Sequence, residues 1–527
     1  MAEGCTAATD GNSGSGADRV RASYENREDA ALAASKVPVP RQITNGDEQN
    51  SRLKFIGNFS KGLPHNSVGE VEPTAYLALL NAVHQGTSAA FEAVPLGGNI
   101  KLVNPLAALA FDLQGIDSHQ LAIPPFPSVT SRQLAADAVE LYWMALCRDV
   151  NFTDYASNPL TRAAAAELSS LPGFTGPKAG RAVTPRTLFR GFTAEDVIGP
   201  YVSQLLLCPF NYGPYSMSGK MSMYMPDANY MTDQASWLAV QNGQGPFAQN
   251  IVDPVPRYIR NGRDYAMFVH TDPLAGLFMS FYNAGMVLFQ NGAPLNSGNP
   301  YRGYTKQDPF GTFGVPGFLG MMGEVAVRAF KAAWYAKWLV HRALRPEEFG
   351  GLVHMTKTGQ AHYPLHNDIL NSSALANTFA QPPHSYFLPQ AFPEGSPQHS
   401  SYPEGHATMA GACATILKAA FDGNAPYNEL PTNGTLVTAS SDGTSLVPYT
   451  GSDAGQVTIG GEINKLASNI GQARNFSGIH WRSDSDWGMR LGEQVAISIL
   501  RDQNNNYVGE NFEGFEITTF DGKSITI

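Results

Sequence analysis

The sequence predicts a mainly α-helical protein with a minor component of β hairpins. In residues 131–148, apolar side chains recur at helical spacing behind a serine that can cap the first turn. Residues 318–344 carry a long apolar face and stop before a proline, where helices usually end. Residues 514–527 alternate apolar and polar side chains around Asp521-Gly522, a dipeptide typical of tight hairpin turns.

The remaining elements follow from the same signals. Further helices are predicted at residues 29–35, 72–84, 194–207, 273–290, 406–421, 461–473 and 479–503. Residues 209–263 are rich in Gly, Pro, Asn, Tyr and Met, which predicts long irregular loops. Residues 422–453 are predicted to form a surface excursion that contains a hairpin at residues 437–447.

Composition sets the expected domain organisation. Apolar residues make up 43% of the 527 residues and charged residues 15%, which suits a globular protein with a large core. Residues 1–45 are assigned to a disordered tail and an N-terminal arm, because residues 1–20 are mostly small and polar. Residues 46–527 are expected to form a single domain, with the active site within residues 330–490.

Several classes of function are disfavoured. A net charge of −10 argues against a general nucleic-acid binder, which needs an extended basic surface. We expect no membrane span and no secretory signal, and hence a soluble protein whose compartment is the cytoplasm or unknown. The four cysteines lie far apart without metal-like spacing, so buried free thiols are expected.

The first motif with chemical potential joins Lys337 to Arg345-Pro346. Eight residues of continuous helix turn by about 80° beyond two full turns, so both cations could lie near one face. Taken alone, two basic residues near a helix end more often face solvent or complement the helix dipole.

The second motif is Tyr402-Pro403-Glu404-Gly405-His406, directly before a helix rich in small residues. Helix N-termini favour anions, and glycine lets the backbone approach a ligand closely. In isolation, a simple capping turn is the alternative interpretation.

The third motif runs from Arg474 to Asp484. Arg474 is predicted to end one helix, Gly478 to break the chain, and His480 to open the next helix. Four residues separate His480 from Asp484, so the two side chains could share a helix face. A carboxylate beside an imidazole can fix the orientation and basicity of its ring.

The three motifs together are specific, because two Arg, one Lys and two His recur at helix ends in a set order. The pattern resembles the vanadium-dependent haloperoxidases, which share their site with type 2 phosphatidic acid phosphatases and bacterial acid phosphatases. Residues 55–76, 140–150, 199–212 and 392–406 also resemble the red-algal and bacterial branch of that family. The phosphatases are shorter. The resemblance implies a fold of two helical bundles.

The resemblance also implies roles for individual residues around a vanadate cofactor. His480 would supply the axial nitrogen to vanadium, and His406 would act as the acid–base partner for incoming peroxide. The residues that would hold the oxyanion are cationic or donate a backbone N–H: Lys337, Arg345, Arg474 and Gly405. The partners implied are hydrogen peroxide, a halide and a small organic nucleophile, in a homo-oligomeric enzyme.

Glu404 departs from the family pattern, which usually has serine there. An ionised carboxylate beside a bound oxyanion would repel it in a partly buried site. Three outcomes are open: Glu404 is protonated and donates a hydrogen bond, it turns outward to pair with a base, or the site does not hold vanadate.

Trp334 and His399 bear on the choice of halide. At the position of His399 bromoperoxidases carry His and fungal chloroperoxidases carry Phe, whereas at Trp334 the fungal enzymes carry Trp and the red-algal enzymes Arg. Bromide is the expected substrate because it is oxidised more easily, and chloride and iodide stay open.

Other functions are possible for the same pocket. An acid phosphatase would use His480 as the nucleophile and His406 as the general acid. Without vanadate, Glu404 and His406 could instead act as an acid–base pair in an isomerase, or the protein could be structural.

Overall fold

The computed structural model describes residues 16–507 and 512–527, and most regular structure in these residues is helical. The helices are α1 Gly16–Ser35, α2 Pro73–Gln85, α3 Ser88–Glu92, α4 Arg132–Leu146, α5 Pro159–Ser170, α6 Gln204–Leu207, α7 Gln234–Gln241, α8 Gly262–Thr271, α9 Met279–Gln290, α10 Val315–Tyr335, α11 Pro346–Lys357, α12 Asn367–Leu370, α13 Ser373–Ala380, α14 Gly405–Ala420, α15 Ile459–Phe476 and α16 Arg482–Asn504. The predicted mainly α fold class is confirmed.

The strands form two-stranded antiparallel hairpins. Their bounds are β1 Phe210–Tyr212, β2 Tyr215–Met217, β3 Met221–Tyr224, β4 Val252–Arg257, β5 Val437–Ala439, β6 Leu446–Pro448, β7 Glu516–Thr518 and β8 Ser524–Thr526, and each odd-numbered strand pairs with the next one. The hairpins predicted near residues 437–447 and 514–527 are confirmed. The loop prediction for residues 209–263 is partly wrong, because β1 to β4 and α7 lie in this segment.

Helix α14 forms the centre of the bundle that carries the predicted motifs. All sixteen of its residues are buried, and it packs against α10, α15 and α16. Two glycines of this bundle permit a close approach: a Cβ atom on Gly492 of α16 would lie 1.8 Å from the Thr408 carbonyl oxygen, and one on Gly411 of α14 would lie 2.0 Å from that of Met489. This contact brings the N-terminal ends of α14 and α16 together.

The long helix predicted at residues 318–344 is interrupted. Helix α10 ends at Tyr335 and continues as a π-helix over Ala336–His341, and Arg342 then adopts a left-handed conformation with φ 38°. Arg345 is the N-cap residue of α11. The expectation that Lys337 and Arg345 share one face of one helix is therefore wrong, although the chain reversal still turns both residues towards the same site.

Other boundaries also differ from the predictions. Residues 194–207 were predicted as one helix, but they contain a 3₁₀ turn at Ala194–Val197 and the short α6, separated by Gly199-Pro200. Helix α1 begins at Gly16, inside the segment predicted to be a disordered tail, and is longer than the predicted residues 29–35. Residues 1–15, the rest of the predicted tail, lie outside the described residues.

The predictions about the cysteines and about membrane spans can be compared with the described residues. Cys147, Cys208 and Cys413 are buried free thiols, as expected, whereas Cys5 lies outside the described residues. Over residues 16–507 and 512–527, no helix combines the length and apolar character needed to cross a lipid bilayer.

Candidate active site

One cavity of about 780 Å³ is lined by residues of the second and third motifs, and the cations of the first motif lie next to it. The predicted site residues that line it are Trp334, His399, Gly405, His406, Arg474 and His480. The other four predicted residues lie behind this wall and are fully buried: Lys337, Arg345, Glu404 and Asp484. Segments distant in sequence thus bring all ten predicted residues into one region.

His480 is held in a fixed orientation at the base of the cavity. It lies in the turn before α16, not on the helix as predicted, yet its Nδ1 lies 2.8 Å from Oδ2 of Asp484. The same oxygen accepts hydrogen bonds from the Ser401 hydroxyl and the Trp481 backbone N–H. A carboxylate acceptor at Nδ1 places the ring proton there, so Nε2 keeps its lone pair.

Arg345 is fixed by hydrogen bonds of both its guanidinium group and its backbone N–H. Its Nε donates to the His399 carbonyl oxygen at 2.9 Å, and one terminal nitrogen donates to the Ile479 carbonyl oxygen at 2.9 Å. That nitrogen also lies 2.8 Å from Nε2 of His480, while the other lies 3.0 Å from Nδ1 of His399. The backbone N–H of Arg345 donates to Glu348 at 2.6 Å. The guanidinium therefore directs positive charge at the lone pair of His480.

Two further cations approach the same place. The Lys337 ammonium donates to the Ser400 and Ser401 carbonyl oxygens at 2.7 and 2.5 Å, which uses two of its three protons. One terminal nitrogen of Arg474 donates to the Val269 carbonyl oxygen at 2.8 Å, and its Nε is buried without a partner among the described residues. Both side chains thus retain donors for a ligand.

The site carries excess positive charge. Burial lowers the pKa of Lys337 well below its usual value, and the charge of Arg345 lowers it further. Burial lowers the pKa of Arg345 to about 10. Burial, together with the charges of Arg345 and Lys337, also lowers the pKa of His480 well below its usual range, so this imidazole is neutral. A bound anion would relieve the repulsion among these cations.

Glu404 points into the protein and not outward. Its side chain is fully buried, and Oε2 accepts a hydrogen bond of 2.6 Å from the Ser485 hydroxyl. Oε1 has no partner among the described residues. Burial raises the pKa of Glu404 to about 8, against the lowering effects of the Ser485 hydroxyl and the charge of Arg474. The structure therefore disagrees with the outward-turned alternative, and the carboxyl is mostly protonated at neutral pH.

His406 is paired with an aspartate that sequence reasoning did not identify. Its Nε2 lies 3.0 Å from Oδ1 of Asp272, the residue that follows α8, which leaves Nδ1 for a ligand. Burial lowers the pKa of His406, although the Asp272 carboxylate opposes this shift. No local signal marks Asp272, because 134 residues separate it from His406.

The part of the cavity wall beside the start of α14 is formed by His399, Trp334 and Gly405. The rings of Trp334 and His399 are tilted by 40° with centroids 4.8 Å apart. A Cβ atom on Gly405 would lie 3.2 Å from the Trp334 ring, so glycine leaves room for that ring beside the start of α14. As the first helical residue, Gly405 has a backbone N–H without an acceptor in its own helix.

Comparisons with known proteins identify the family. Residues 319–508 match the model of the VCPO second helical-bundle domain. The chain is 34% identical to the vanadium-dependent bromoperoxidase of Ascophyllum nodosum, over 95% of this chain and 92% of that protein. The chain belongs to the vanadium-dependent haloperoxidase family. The vanadium-dependent bromoperoxidase of Corallina officinalis is 33% identical, over 97% of this chain and 98% of that protein.

A solved structure supports the same family and fold. The second vanadate-dependent bromoperoxidase of Ascophyllum nodosum, described as homohexameric, superposes with a TM-score of 0.90 at 31% identity. The superposition covers 99% of this chain and 92% of that chain. The helical-bundle architecture implied by the family resemblance is confirmed.

Proposed function

We propose that this haloperoxidase uses vanadate and hydrogen peroxide to oxidise bromide to a hypobromous species that halogenates organic compounds. The observation that carries the proposal is the buried pocket in which three cations surround a neutral, oriented imidazole. Relatives that share about a third of their residues over nearly the whole chain are named vanadium-dependent bromoperoxidases. In the overall reaction bromide is oxidised, peroxide is reduced to water, and one proton is consumed.

The donor set of the pocket fits vanadate. His480 offers the Nε2 lone pair to a metal, because Asp484 holds the ring proton on Nδ1. Lys337, Arg345 and Arg474 supply charge-assisted donors, which suit an oxyanion that carries more than one charge. When bound, vanadate would supply a Lewis acid that activates peroxide towards halide attack.

Glu404 would act as a neutral hydrogen-bond donor in place of the usual serine. Its buried carboxyl is protonated below a pKa of about 8, so it adds no negative charge beside the oxyanion at neutral pH. Ser485 satisfies Oε2 and leaves Oε1 as the oxygen that can carry the proton to a ligand. This arrangement supports the first of the three outcomes for Glu404.

His406 would move the protons of the reaction. Its pKa is lowered by burial, so Nδ1 is a free base that can accept a proton from peroxide. Asp272 orients the ring through Nε2 and stabilises the imidazolium that forms. The same imidazolium can then return its proton to the oxygen that leaves as water.

Bromide is the proposed halide. Its site would lie near the contact between Trp334 and His399, which are both on the cavity wall. His399 stays neutral, since burial and the charges of Arg345 and Lys337 hold its pKa well below the usual range. Chloride and iodide are the alternative halides, and the rate with each can be compared with the rate with bromide.

The decisive assay is bromination of monochlorodimedone with peroxide and bromide, measured across added orthovanadate for the native protein and Glu404→Ser. Saturable activity of the native protein supports the proposal. Activity in the serine variant alone would show that the natural site has lost vanadate. Hydrolysis of p-nitrophenyl phosphate without vanadate would instead favour the phosphatase with His480 as nucleophile.

The isomerase alternative finds less support. Glu404 is fully buried and does not line the cavity, so it does not face the space open to an organic substrate. Its hydrogen-bond partner is Ser485 and not His406. If the native protein consumed no peroxide with bromide at any vanadate concentration, an isomerase or a structural role would be favoured instead.

We also propose that the protein forms a homo-oligomer, as the solved relative does. Large apolar side chains are exposed in the segment before α4, with Phe111 78% and Leu113 99% accessible. Helix α1 has no buried residue in the single chain. Mass photometry of the native protein and of Phe111→Asp/Leu113→Asp tests this surface: a smaller species is expected for the double variant.

A further inference from the structure

A second cavity lies at the opposite end of α14 from the oxyanion pocket. Its volume is about 420 Å³, and Lys418 in the last turn of α14 is part of its wall. Gly405, which lines the oxyanion pocket, is the first residue of the same helix. About 20 Å of helix therefore separates the two sites. The proposed haloperoxidase reaction uses no residue of this second cavity.

The wall of the second cavity combines segments that are distant in sequence. Besides α14, the 3₁₀ turn at Ala194–Val197 supplies Glu195, the loop after α14 supplies Asp422, α15 supplies Asn464 and β7 supplies Glu516. Most of the described residues in this wall are polar or glycine, and none of them is aromatic. Such a wall suits a small molecule that carries charges and hydrogen-bonding groups better than an apolar ring.

Lys418 brings a buried ammonium with unused donors to this cavity. Its side chain is 4% exposed, and Nζ has no hydrogen-bond partner among the described residues. Nζ lies 3.5 Å from Oε1 of Glu493 and 3.8 Å from the centre of the Phe520 ring, so its charge is stabilised while its N–H groups stay free. Burial lowers the pKa of Lys418 to about 8, against the charges of Glu493 and Glu195, so the ammonium is mostly protonated at neutral pH.

Asn464 brings a buried acceptor to the same cavity. Its side chain is 4% exposed, and Nδ2 donates a hydrogen bond of 3.2 Å to Oε2 of Glu195. This bond fixes the orientation of the amide, because only the nitrogen side can donate to a carboxylate. Oδ1 has no partner among the described residues. Buried polar atoms are normally hydrogen-bonded, so Oδ1 requires a donor from within the cavity.

The rest of the charge in the second cavity is negative. Glu195, Asp422 and Glu516 all lie in its wall, so carboxylates outnumber the one ammonium. Asp422 is half-buried and Glu516 is exposed, which places these two nearer to solvent than Lys418. In the part of the chain that the structure describes, no three acidic, His or Cys side chains are grouped closely enough to hold a metal ion. The spread of the carboxylates favours an extended organic cation.

We propose that the second cavity binds a basic α-amino acid, whose carboxylate contacts the Lys418 ammonium and whose α-ammonium contacts Asn464 and Glu195. The side-chain cation of the ligand then extends towards Asp422 and Glu516. Such a ligand satisfies the free donors of Lys418 and the free acceptor of Asn464 and balances the surplus of carboxylates. An acidic amino acid is disfavoured, because it would bring a further negative charge to this wall. This site goes beyond the proposed function and needs neither vanadate nor halide.

The test titrates L-lysine, cadaverine and L-glutamate into the full-length protein by isothermal titration calorimetry. Cadaverine keeps both amino groups of L-lysine but lacks the carboxylate. Lys418→Met removes the buried ammonium and keeps much of the side-chain shape, and Asp422→Asn removes a carboxylate at a half-buried position. Lys523→Met is the matched control, because Lys523 is exposed in the turn between β7 and β8.

The native protein is expected to bind L-lysine with a Kd below about 1 mM, and cadaverine and L-glutamate at least about tenfold more weakly. Lys418→Met should bind L-lysine about tenfold more weakly and cadaverine no more weakly than the native protein, because only the carboxylate contact is lost. Asp422→Asn should weaken both L-lysine and cadaverine about threefold and strengthen L-glutamate, since a half-exposed charge has a modest effect. Lys523→Met should match the native protein.

Contrary results would overturn the amino-acid site. These are no binding of L-lysine by the native protein up to about 10 mM, equal native affinities for L-lysine and cadaverine, or equal losses of both ligands in Lys418→Met. If Lys418→Met did not fold, the native comparison of L-lysine with cadaverine and the opposite responses of L-lysine and L-glutamate to Asp422→Asn would still decide. Bromide oxidation is measured separately, so failure of this site would leave the haloperoxidase function standing.

Discussion

The protonation of Glu404 predicts how the affinity for orthovanadate depends on pH. The buried carboxyl has a pKa of about 8, so it is about nine-tenths neutral at pH 7 and about nine-tenths ionised at pH 9. If only the neutral form accepts the oxyanion, the apparent Kd rises about tenfold between these pH values, which corresponds to about 1.4 kcal/mol. The affinity falls as the pH rises, because ionisation of Glu404 adds a negative charge beside the bound anion.

Glu404→Gln is the matched variant, because it keeps the shape and a donor but cannot ionise. Isothermal titration of the vanadate-free protein at pH 7 and pH 9 gives the Kd of both proteins. Vanadate changes its own protonation equally in both titrations, so the ratio of the two Kd values isolates Glu404. The native protein is expected to lose about tenfold more affinity than the variant. Parallel pH dependence in the two proteins would refute the proposal that a neutral Glu404 donates a hydrogen bond to the oxyanion.

Two further perturbations test the scaffold and the proton path. Gly492→Ala should lower the Tm by several degrees, because its Cβ would lie 1.8 Å from the Thr408 carbonyl oxygen. The control is Gly320→Ala, where a Cβ meets nothing within 4 Å. In the same differential scanning fluorimetry run, this control should have an unchanged or higher Tm. Asp272→Asn should reduce kcat for bromination about 10- to 100-fold, because the carboxylate that orients His406 is lost. The affinity for orthovanadate, measured by calorimetry, should change by less than about threefold. A larger loss of affinity than of kcat would show that Asp272 mainly shapes the pocket.

Local patterns predicted most of the helical framework. Residues 131–148 combine helical spacing with a serine cap, and the Ser131 side chain does accept a hydrogen bond from the Leu134 N–H. The interruption after α10 was not predictable in the same way, because no proline or glycine lies between Tyr335 and Arg345. The π-helix and the left-handed Arg342 depend on tertiary contacts, among them the ion pair of Arg342 with Glu48 at 2.6 Å.

Some residues of the candidate site could likewise be predicted from the sequence, and others could not. The motif residues could be identified because their order along the chain is specific, although the reasoning about shared helix faces was wrong for Lys337 and Arg345. Asp272, Ser401 and Ser485 reach the site through contacts between segments that are distant in sequence, and ordinary residue types at those positions give no signal. The inward position of Glu404 likewise depends on the close packing of α14 against α16.

The proposed function requires that the cationic pocket hold vanadate on Nε2 of His480, in place of the contact of this nitrogen with Arg345. A crystal of the vanadate-free protein, soaked in orthovanadate and measured with anomalous scattering at the vanadium edge, tests it directly. One strong vanadium peak is expected at coordination distance from Nε2 of His480, with oxygens facing Lys337, Arg345 and Arg474. A peak bound elsewhere, or none in a protein that retains bromide oxidation, would contradict it.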